Sequence, residues 1–223
     1  MLDELEELFE SETIKPTYDY VHIILALFIF GENPNGIGRY RLKEELLIGS
    51  GTAKSLIKKL NEKLNFISVL NGNIRKGHVL TEYGLKFLNK VKKKIPFLKK
   101  GDISILKDVI IESEDVRVYF CQIKNAGDKL TMGIEQRDAA IKVGGIGATC
   151  LVYDGKNIIY PVNYISDTEK TKMTINNQPY KYFNEEIIKS DSKLEKSDVI
   201  IIGLGNKLER ARIAALNAAL TLI

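Results

Sequence analysis

A short glycine-containing turn between two helix-forming segments is the feature that most constrains the fold of this 223-residue chain. Residues 40–47 have the apolar spacing of one amphipathic helix, and residues 52–64 have that of a second. Between them, Ile48-Gly49-Ser50-Gly51 interrupts the helical pattern with two glycines, which favours a tight turn. We expect Ser50 or Thr52 to be the N-cap of the second helix, because a hydroxyl there accepts a hydrogen bond from a free backbone N–H.

A β-hairpin is predicted after the second helix. Residues 66–70 and 74–80 are short apolar runs, and Asn71-Gly72-Asn73 between them is typical of a hairpin turn. Thr81 follows the second run and is expected to cap a further helix.

Residues 18–30 are apolar almost all round and predict a buried helix. The predicted order of elements over residues 18–94 is therefore helix, helix, tight turn, helix, hairpin, helix. This order resembles the winged helix-turn-helix of prokaryotic regulators. The residues Leu80-Thr81-x-x-Gly84-x-x-x-Leu88 are similar to the junction between wing and helix in many such domains. By this resemblance, residues 50–63 are the recognition helix and residues 71–76 the wing. Some winged helices bind only protein, so the resemblance indicates the fold more specifically than it indicates DNA binding.

Charge is distributed unevenly along the chain. Residues 1–34 have one basic and eight acidic side chains, residues 35–100 have 16 basic and four acidic ones, and residues 101–223 have 16 basic and 17 acidic ones. The net charges are therefore −7, +12 and −1. A basic module beside a neutral one favours nucleic acid as the partner, although a solvated lysine-rich surface has the same composition.

The predicted partner is double-stranded DNA, because the major groove accepts one helix whose outward side chains reach bases and phosphates. On the second helix, the outward side chains lie opposite the apolar face, and on the hairpin they lie at the turn and on the return strand. The predicted DNA-binding residues are Ser50, Thr52, Lys54, Ser55, Lys58, Lys59, Asn73, Arg75 and Lys76.

The overall fold class predicted is α+β, with a winged helix domain over residues 1–98 and a mixed α+β domain over residues 102–223. Pro96 and the polar run Lys99-Lys100-Gly101-Asp102 predict the linker between them. In the second domain the pattern predicts strands at 116–123, 148–153, 156–162 and 199–202, and helices at 134–143, 182–189 and 207–222.

Two segments of the second half carry a further resemblance. "RDAAIKVGGIGATCLVYDG" (Arg137 to Gly155) and "GLGNKLERARIAALNAAL" (Gly203 to Leu220), following the predicted winged helix, are similar to an uncharacterised family of archaeal proteins. The resemblance implies an N-terminal winged helix paired with an α/β domain of unknown role. It brings no catalytic residue to this chain.

One candidate ligand site lies in the second domain. A helix N-terminus after a glycine-rich turn presents free N–H groups that bind anions, which suggests a small anionic effector. The candidate ligand-binding residues are Gly203, Gly205, Asn206 and Arg210. Close packing of the preceding strand against the helix explains the same glycines without a ligand.

Motifs of catalysis and metal binding are absent from the sequence, including GxSxG, HExxH and GxxxxGK[ST]. Cys121 and Cys150 lie in apolar, strand-like stretches and are expected to be buried free thiols. We therefore predict no catalytic residue, no metal and no cofactor, and an enzyme is the less favoured class.

The protein is expected to be cytoplasmic and not to associate with membranes. The longest apolar run, Ile23 to Phe30, is too short to span a bilayer, and the acidic N-terminus is unlike a signal peptide. We also expect a homodimer. Its contact is predicted on the apolar stripe Leu2, Leu5, Leu8 and Phe9, with the alanine-rich final helix as the other candidate.

The leading functional hypothesis is a DNA-binding transcriptional regulator whose C-terminal domain senses an effector or mediates assembly. The alternative is an enzyme or nucleotide-binding protein that acts through residues 102–223, with the winged helix as a protein-docking module. A protein–protein adaptor is the third hypothesis.

Overall fold

The computed structural model describes residues 2–9, 16–70, 77–110, 115–161 and 173–223. The chain divides into two compact units, Met1–Lys92 and Lys93–Ile223, which we call the N-terminal and C-terminal units. Each unit combines helices with strands, so the fold class is α+β. Within these described residues, no helix is both long enough and apolar enough to cross a membrane.

The N-terminal unit begins with a 3-10 helix, Leu2–Leu8, which we call the N-terminal segment. The elements that follow are α1 (Tyr20–Glu32), α2 (Arg39–Leu46), α3 (Ser50–Glu62), β1 (Ile67–Val69), β2 (His78–Leu80) and α4 (Glu82–Lys92). β1 and β2 pair antiparallel, and a backbone bridge from Ile37 to His78 lies beside them. α1 contacts α2, α4 and β2 and is apolar on nearly every side, which explains its place at the centre of this unit.

The turn between α2 and α3 differs from the prediction at its cap. Leu47 ends α2 in the left-handed conformation (φ 56°), and its N–H bonds to the carbonyls of Lys43 and Glu44. Gly49 is the N-cap of α3, so the expectation that Ser50 or Thr52 caps this helix is wrong. The extended backbone of Gly49 brings its carbonyl 2.9 Å from the N–H of Ala53, so the helix begins at Ser50.

The junction from β2 to α4 confirms the predicted role of Thr81. Its Oγ1 accepts a hydrogen bond from the N–H of Gly84 at 3.1 Å and donates one to the carbonyl of Asn65. A side chain at position 84 would place its Cβ 2.0 Å from the carbonyl oxygen of Phe66. Glycine is therefore required where α4 begins against the preceding strand.

The C-terminal unit contains a five-stranded sheet in which every neighbouring pair is antiparallel. In spatial order the strands are β3 (Leu98–Lys100), β4 (Arg117–Ile123), β7 (Val199–Gly205), β5 (Gly147–Tyr153) and β6 (Ile158–Ile159). The helices are α5 (Ile103–Leu106), α6 (Ile134–Lys142), α7 (Asn177–Ile188) and α8 (Leu208–Leu220).

The central strand, β7, is buried along its whole length because both faces of the sheet are covered. Ile200, Ile202 and Leu204 lie in one hydrophobic core with Phe183 and Ile187 of α7. On the other face, α8 contacts β7 and β4, and α6 packs beside α8. A strand buried on both faces requires a continuous apolar run, which is what residues 199–205 provide.

Several predicted boundaries in this half are wrong. The proposed linker is part of the sheet, because β3 pairs with β4 with Leu98 opposite Cys121, and the compact units divide at Lys92–Lys93 rather than at residues 98–102. α7 begins at Asn177 rather than near residue 182, β7 extends to Gly205, and β6 is limited to Ile158–Ile159. Residues 162–172, between β6 and α7, lie outside the described residues.

Candidate nucleic-acid interface

α3 has one buried and one exposed face, as the sequence predicts. Ala53, Leu56, Ile57 and Leu60 are buried in the N-terminal unit. The outward-facing predicted residues that are exposed are Ser50, Lys54, Ser55 and Lys58. Thr52 is half-buried, and its hydroxyl lies 2.7 Å from that of Thr17.

Lys54 and Lys58 are one helical turn apart, so they lie on the same stripe of the helix surface. Lys58 faces Glu62 at 3.7 Å, with both side chains more than half exposed. An exposed i,i+4 pair contributes only about 0.5 kcal/mol and is screened by salt. Lys58 can therefore bind a phosphate group instead, because breaking its ion pair with Glu62 costs little free energy.

Lys59, which is also a predicted DNA contact, has a different environment. Its ammonium donates a hydrogen bond to the carbonyl of Leu8 and lies 5.9 Å from the centre of the Tyr18 ring. Burial lowers the pKa of Lys59, and the neighbouring charge of Lys63 lowers it further. The ammonium of Lys59 therefore links the N-terminal segment to α3.

The N-terminal segment is packed within its own unit. Leu5 and Leu8 are fully buried, and the ring of Phe9 packs at a tilt against the rings of Tyr18 and Tyr20, with centroid distances of 5.8 and 4.6 Å. Tyr18 donates to the carbonyl of Leu8 at 3.1 Å.

Two lysines add polar contacts to the same segment. Lys90 forms an ion pair with Glu4, and the ammonium of Lys63 lies 3.4 Å from the carbonyl oxygen of Glu7. The apolar stripe expected to form a dimer contact is thus covered by the chain itself. This packing was not predictable from local sequence pattern, because residues 8 and 59 are 51 positions apart.

The hairpin carries the other predicted DNA contacts. Asn73, Arg75 and Lys76 lie outside the described residues. At its base, His78 exchanges two backbone hydrogen bonds of 3.0 Å with Ile37. Gly77 has φ 89°, and a Cβ there would lie 2.4 Å from the carbonyl oxygen of Ile37. The base of the hairpin is therefore attached to the loop that precedes α2.

The predicted anion site in the C-terminal unit is a closely packed strand and helix. A Cβ on Gly203 would lie 2.2 Å from the backbone N of Ala215, and one on Gly205 would lie 2.5 Å from that of Ala211. Both glycines are accounted for by the approach of α8 to β7. Asn206 is exposed, and Arg210 donates a hydrogen bond of 3.0 Å to the carbonyl of Val143.

The two cysteines are buried free thiols, as predicted. Cys121 and Cys150 both lie opposite Ile201, on the strands either side of it, so a strand separates them. Burial raises the pKa of Cys121, and it raises that of Cys150 to about 12, so neither thiol is reactive at neutral pH. Among the residues described, no group of three or more His, Cys, Asp and Glu side chains is arranged to hold a metal ion.

Sequence reasoning missed a polar network around the buried carboxylate of Asp198. This carboxylate accepts hydrogen bonds from Gln122, Lys124 and the backbone N–H groups of Asn125 and Glu195, all between 2.7 and 2.9 Å. Hydrogen bonds from Lys124 and Lys193 lower the pKa of Glu195 to about 2. The network joins the end of β4 to the loop before β7 and has the character of a structural anchor.

These features define a two-unit α+β protein with a basic helix face on one unit and a closely packed antiparallel sheet in the other. Residues 116–222 match the family model described as "Domain of unknown function (DUF4443)". The fold is similar to that of a solved structure, "Hypothetical protein PH0730 from Pyrococcus horikoshii OT3", with a TM-score of 0.62 and 23% identity. That similarity covers 92% of this chain and 93% of the other. Both findings fit the uncharacterised archaeal family that the sequence resembles. A comparison with curated proteins gives no match.

Proposed function

We propose that the N-terminal unit is a winged helix that binds double-stranded DNA, and that the protein is a transcriptional regulator. The observation that carries this proposal is the exposed stripe of Lys54, Ser55 and Lys58 on α3. The opposite face of the same helix is fixed in the core of the unit, so the stripe is held in one orientation. A rigid helix with outward cations and hydroxyls suits the major groove, which is about 12 Å wide.

The arrangement of the other elements supports the same proposal. α2 and α3 are joined by a turn of three residues, and the β1–β2 hairpin lies between α3 and α4. In a winged helix, α3 is the recognition helix and the hairpin is the wing. Arg75 and Lys76 lie outside the described residues and stay predicted phosphate contacts; phosphate contacts fix the register of a protein on DNA.

Lys59 is not part of this proposed interface, because its ammonium holds the N-terminal segment. The DNA-facing set on α3 is therefore Ser50, Lys54, Ser55 and Lys58, with Thr52 at its border. Ser50 and Ser55 supply hydroxyls for base edges or phosphates, and the two lysines supply charge.

The C-terminal unit has the effector-sensing or assembly role in this proposal. Binding of a small anionic effector stays a prediction that involves Asn206 and Arg210, since Gly203 and Gly205 are explained by packing. A homodimer also stays a prediction, and its contact must lie elsewhere than on the two covered stripes. The N-terminal segment is packed against its own unit, and α8 is buried in its own.

The experiment that tests the proposal is a fluorescence anisotropy titration of the full chain with two labelled duplexes. One duplex comes from the region upstream of the protein's own coding sequence, and the other has a scrambled sequence of the same composition. We expect binding to both duplexes. If the upstream duplex contains the operator, it should bind at least about 1000-fold more tightly than the scrambled one. Absence of binding to any duplex at low salt contradicts the proposal.

A further inference from the structure

An exposed apolar patch surrounds α6 in the C-terminal unit. Within 15 positions the chain exposes four large apolar side chains, each between 44 and 51% accessible: Met132, Ile134, Ile141 and Ile146. The inner face of α6 is fixed to α8, since Gln136 donates to the hydroxyl of Thr221 and Asn217 donates to the carbonyl of Ala139. Ile134 and Ile141 lie on α6 itself, and exposed apolar side chains on a rigid helix indicate an interaction surface.

The spacing of this patch is symmetric about the middle of the helix. Ile134 and Ile141 are seven residues apart, which is two turns, so they lie on one stripe about 10 Å apart. The midpoint between them falls between Arg137 and Asp138. These two side chains form an exposed ion pair at 2.9 Å.

This symmetry selects one occupant. If a second α6 lies antiparallel across a two-fold axis at that midpoint, Ile134 meets the partner's Ile141, and Arg137 meets the partner's Asp138. An isologous contact requires such a self-complementary surface, with each pair occurring twice.

An open groove of about 680 Å³ lies beside α6. Its lining includes Met132, Ile134, Ala139 and Thr221. We propose that a second copy of this chain docks on α6, with the Arg137–Asp138 pairs exchanged between protomers at the two-fold axis and an Ile134–Ile141 pair on either side of it. The proposal goes beyond DNA binding and does not depend on it.

Sedimentation equilibrium of the full chain without DNA tests this interface, at concentrations up to tens of micromolar. We expect twice the chain mass of 25.1 kDa. Ile141→Lys places a cation against the partner's Ile134, and we expect the dimer dissociation constant to rise by at least about tenfold. The matched control is Ile188→Lys on α7, since Ile188 is 59% exposed and α7 packs on the opposite face of the sheet. The control should leave the mass unchanged.

A charge reversal distinguishes this interface from any other that uses α6. Arg137→Asp places an aspartate opposite the partner's Asp138 twice across the axis, and it should raise the dimer dissociation constant by about tenfold. Combining it with Asp138→Arg restores opposite charges in every pair and should restore the dimer. A monomeric wild-type protein, a dimer unaffected by Ile141→Lys, or a double variant that fails to recover would each overturn the proposal. The sedimentation experiments contain no DNA, so their outcome is independent of whether the protein binds DNA.

Discussion

Helices α3 and α8 are both 13 residues long, yet they have opposite relations to solvent. α3 buries one apolar stripe and exposes Lys54, Ser55 and Lys58 on the other side. In α8 eight of the 13 residues are buried, because the sheet covers one side and α6 covers another. Exposed polar side chains therefore lie in a row on α3, whereas α8 holds the sheet together.

Substitutions at Gly203, beside α8, and at Gly51, in α3, should change the stability of the protein very differently. Gly203→Val forces a side chain against the backbone of α8, and no rotamer relieves a Cβ that is 2.2 Å from a backbone nitrogen. We expect a loss of about 3 kcal/mol or more in the free energy of unfolding, measured by urea denaturation. Gly51→Ala in α3 is the control, since nothing lies within 4 Å of the added Cβ. That change should stabilise by about 0.5 kcal/mol; equal effects at the two sites would contradict the packing described for α8.

The N-terminal segment provides the next test, because it is packed against α3 rather than exposed. Leu8→Ala should lower the free energy of unfolding by about 2 kcal/mol, since a fully buried leucine is truncated. The control Leu85→Ala changes an exposed leucine in the same unit and should cost less than about 0.5 kcal/mol. Sedimentation should show that neither variant changes the oligomeric state. If Leu8→Ala changed the mass and left the stability unchanged, the packing described here would be contradicted, and the N-terminal segment would form a dimer contact instead.

The smallest effect is expected from the polar network in the C-terminal unit. The pKa of Glu195 is lowered to about 2 in the folded protein, from an ordinary value near 4.5. Its contribution to stability is therefore complete above about pH 5 and is lost as the pH falls toward 2. Glu195→Gln should reduce the loss of stability between about pH 5 and pH 2. Thermal unfolding at several pH values measures this loss. A profile identical to that of the wild type would show that the exposed ion pairs of Glu195 contribute nothing measurable.

Local pattern was enough to predict much of the N-terminal unit. The apolar spacing over residues 52–64 predicted which face of α3 is buried, and the exposure of Lys54 and Lys58 follows from the same spacing. The threonine cap of α4 was predicted from a short motif. These features depend on residues close in sequence, so periodicity and turn chemistry are sufficient.

Features that depend on distant residues were not predictable in this way. Lys59 has the same local pattern as Lys58, and only the packing of residue 8 against it separates their roles. The strand Leu98–Lys100 is short and contains two lysines, so it resembles a linker until its pairing with β4 is known. Gly203 and Gly205 fit both an anion cradle and a close contact, and the position of α8 decides between them.

The salt dependence of DNA binding tests whether α3 contacts DNA, because the slope of log K against log salt counts phosphate contacts. Lys54→Ala/Lys58→Ala should reduce the slope of log K against log salt by about 2, since each phosphate contact contributes about 0.9. Lys86→Ala is the matched control, because Lys86 is equally exposed and has an i,i+4 glutamate like that of Lys58. The control should keep the wild-type slope. A double variant with an unchanged slope, or a control that lowers it as much, would contradict the assignment of α3 as the DNA-binding helix.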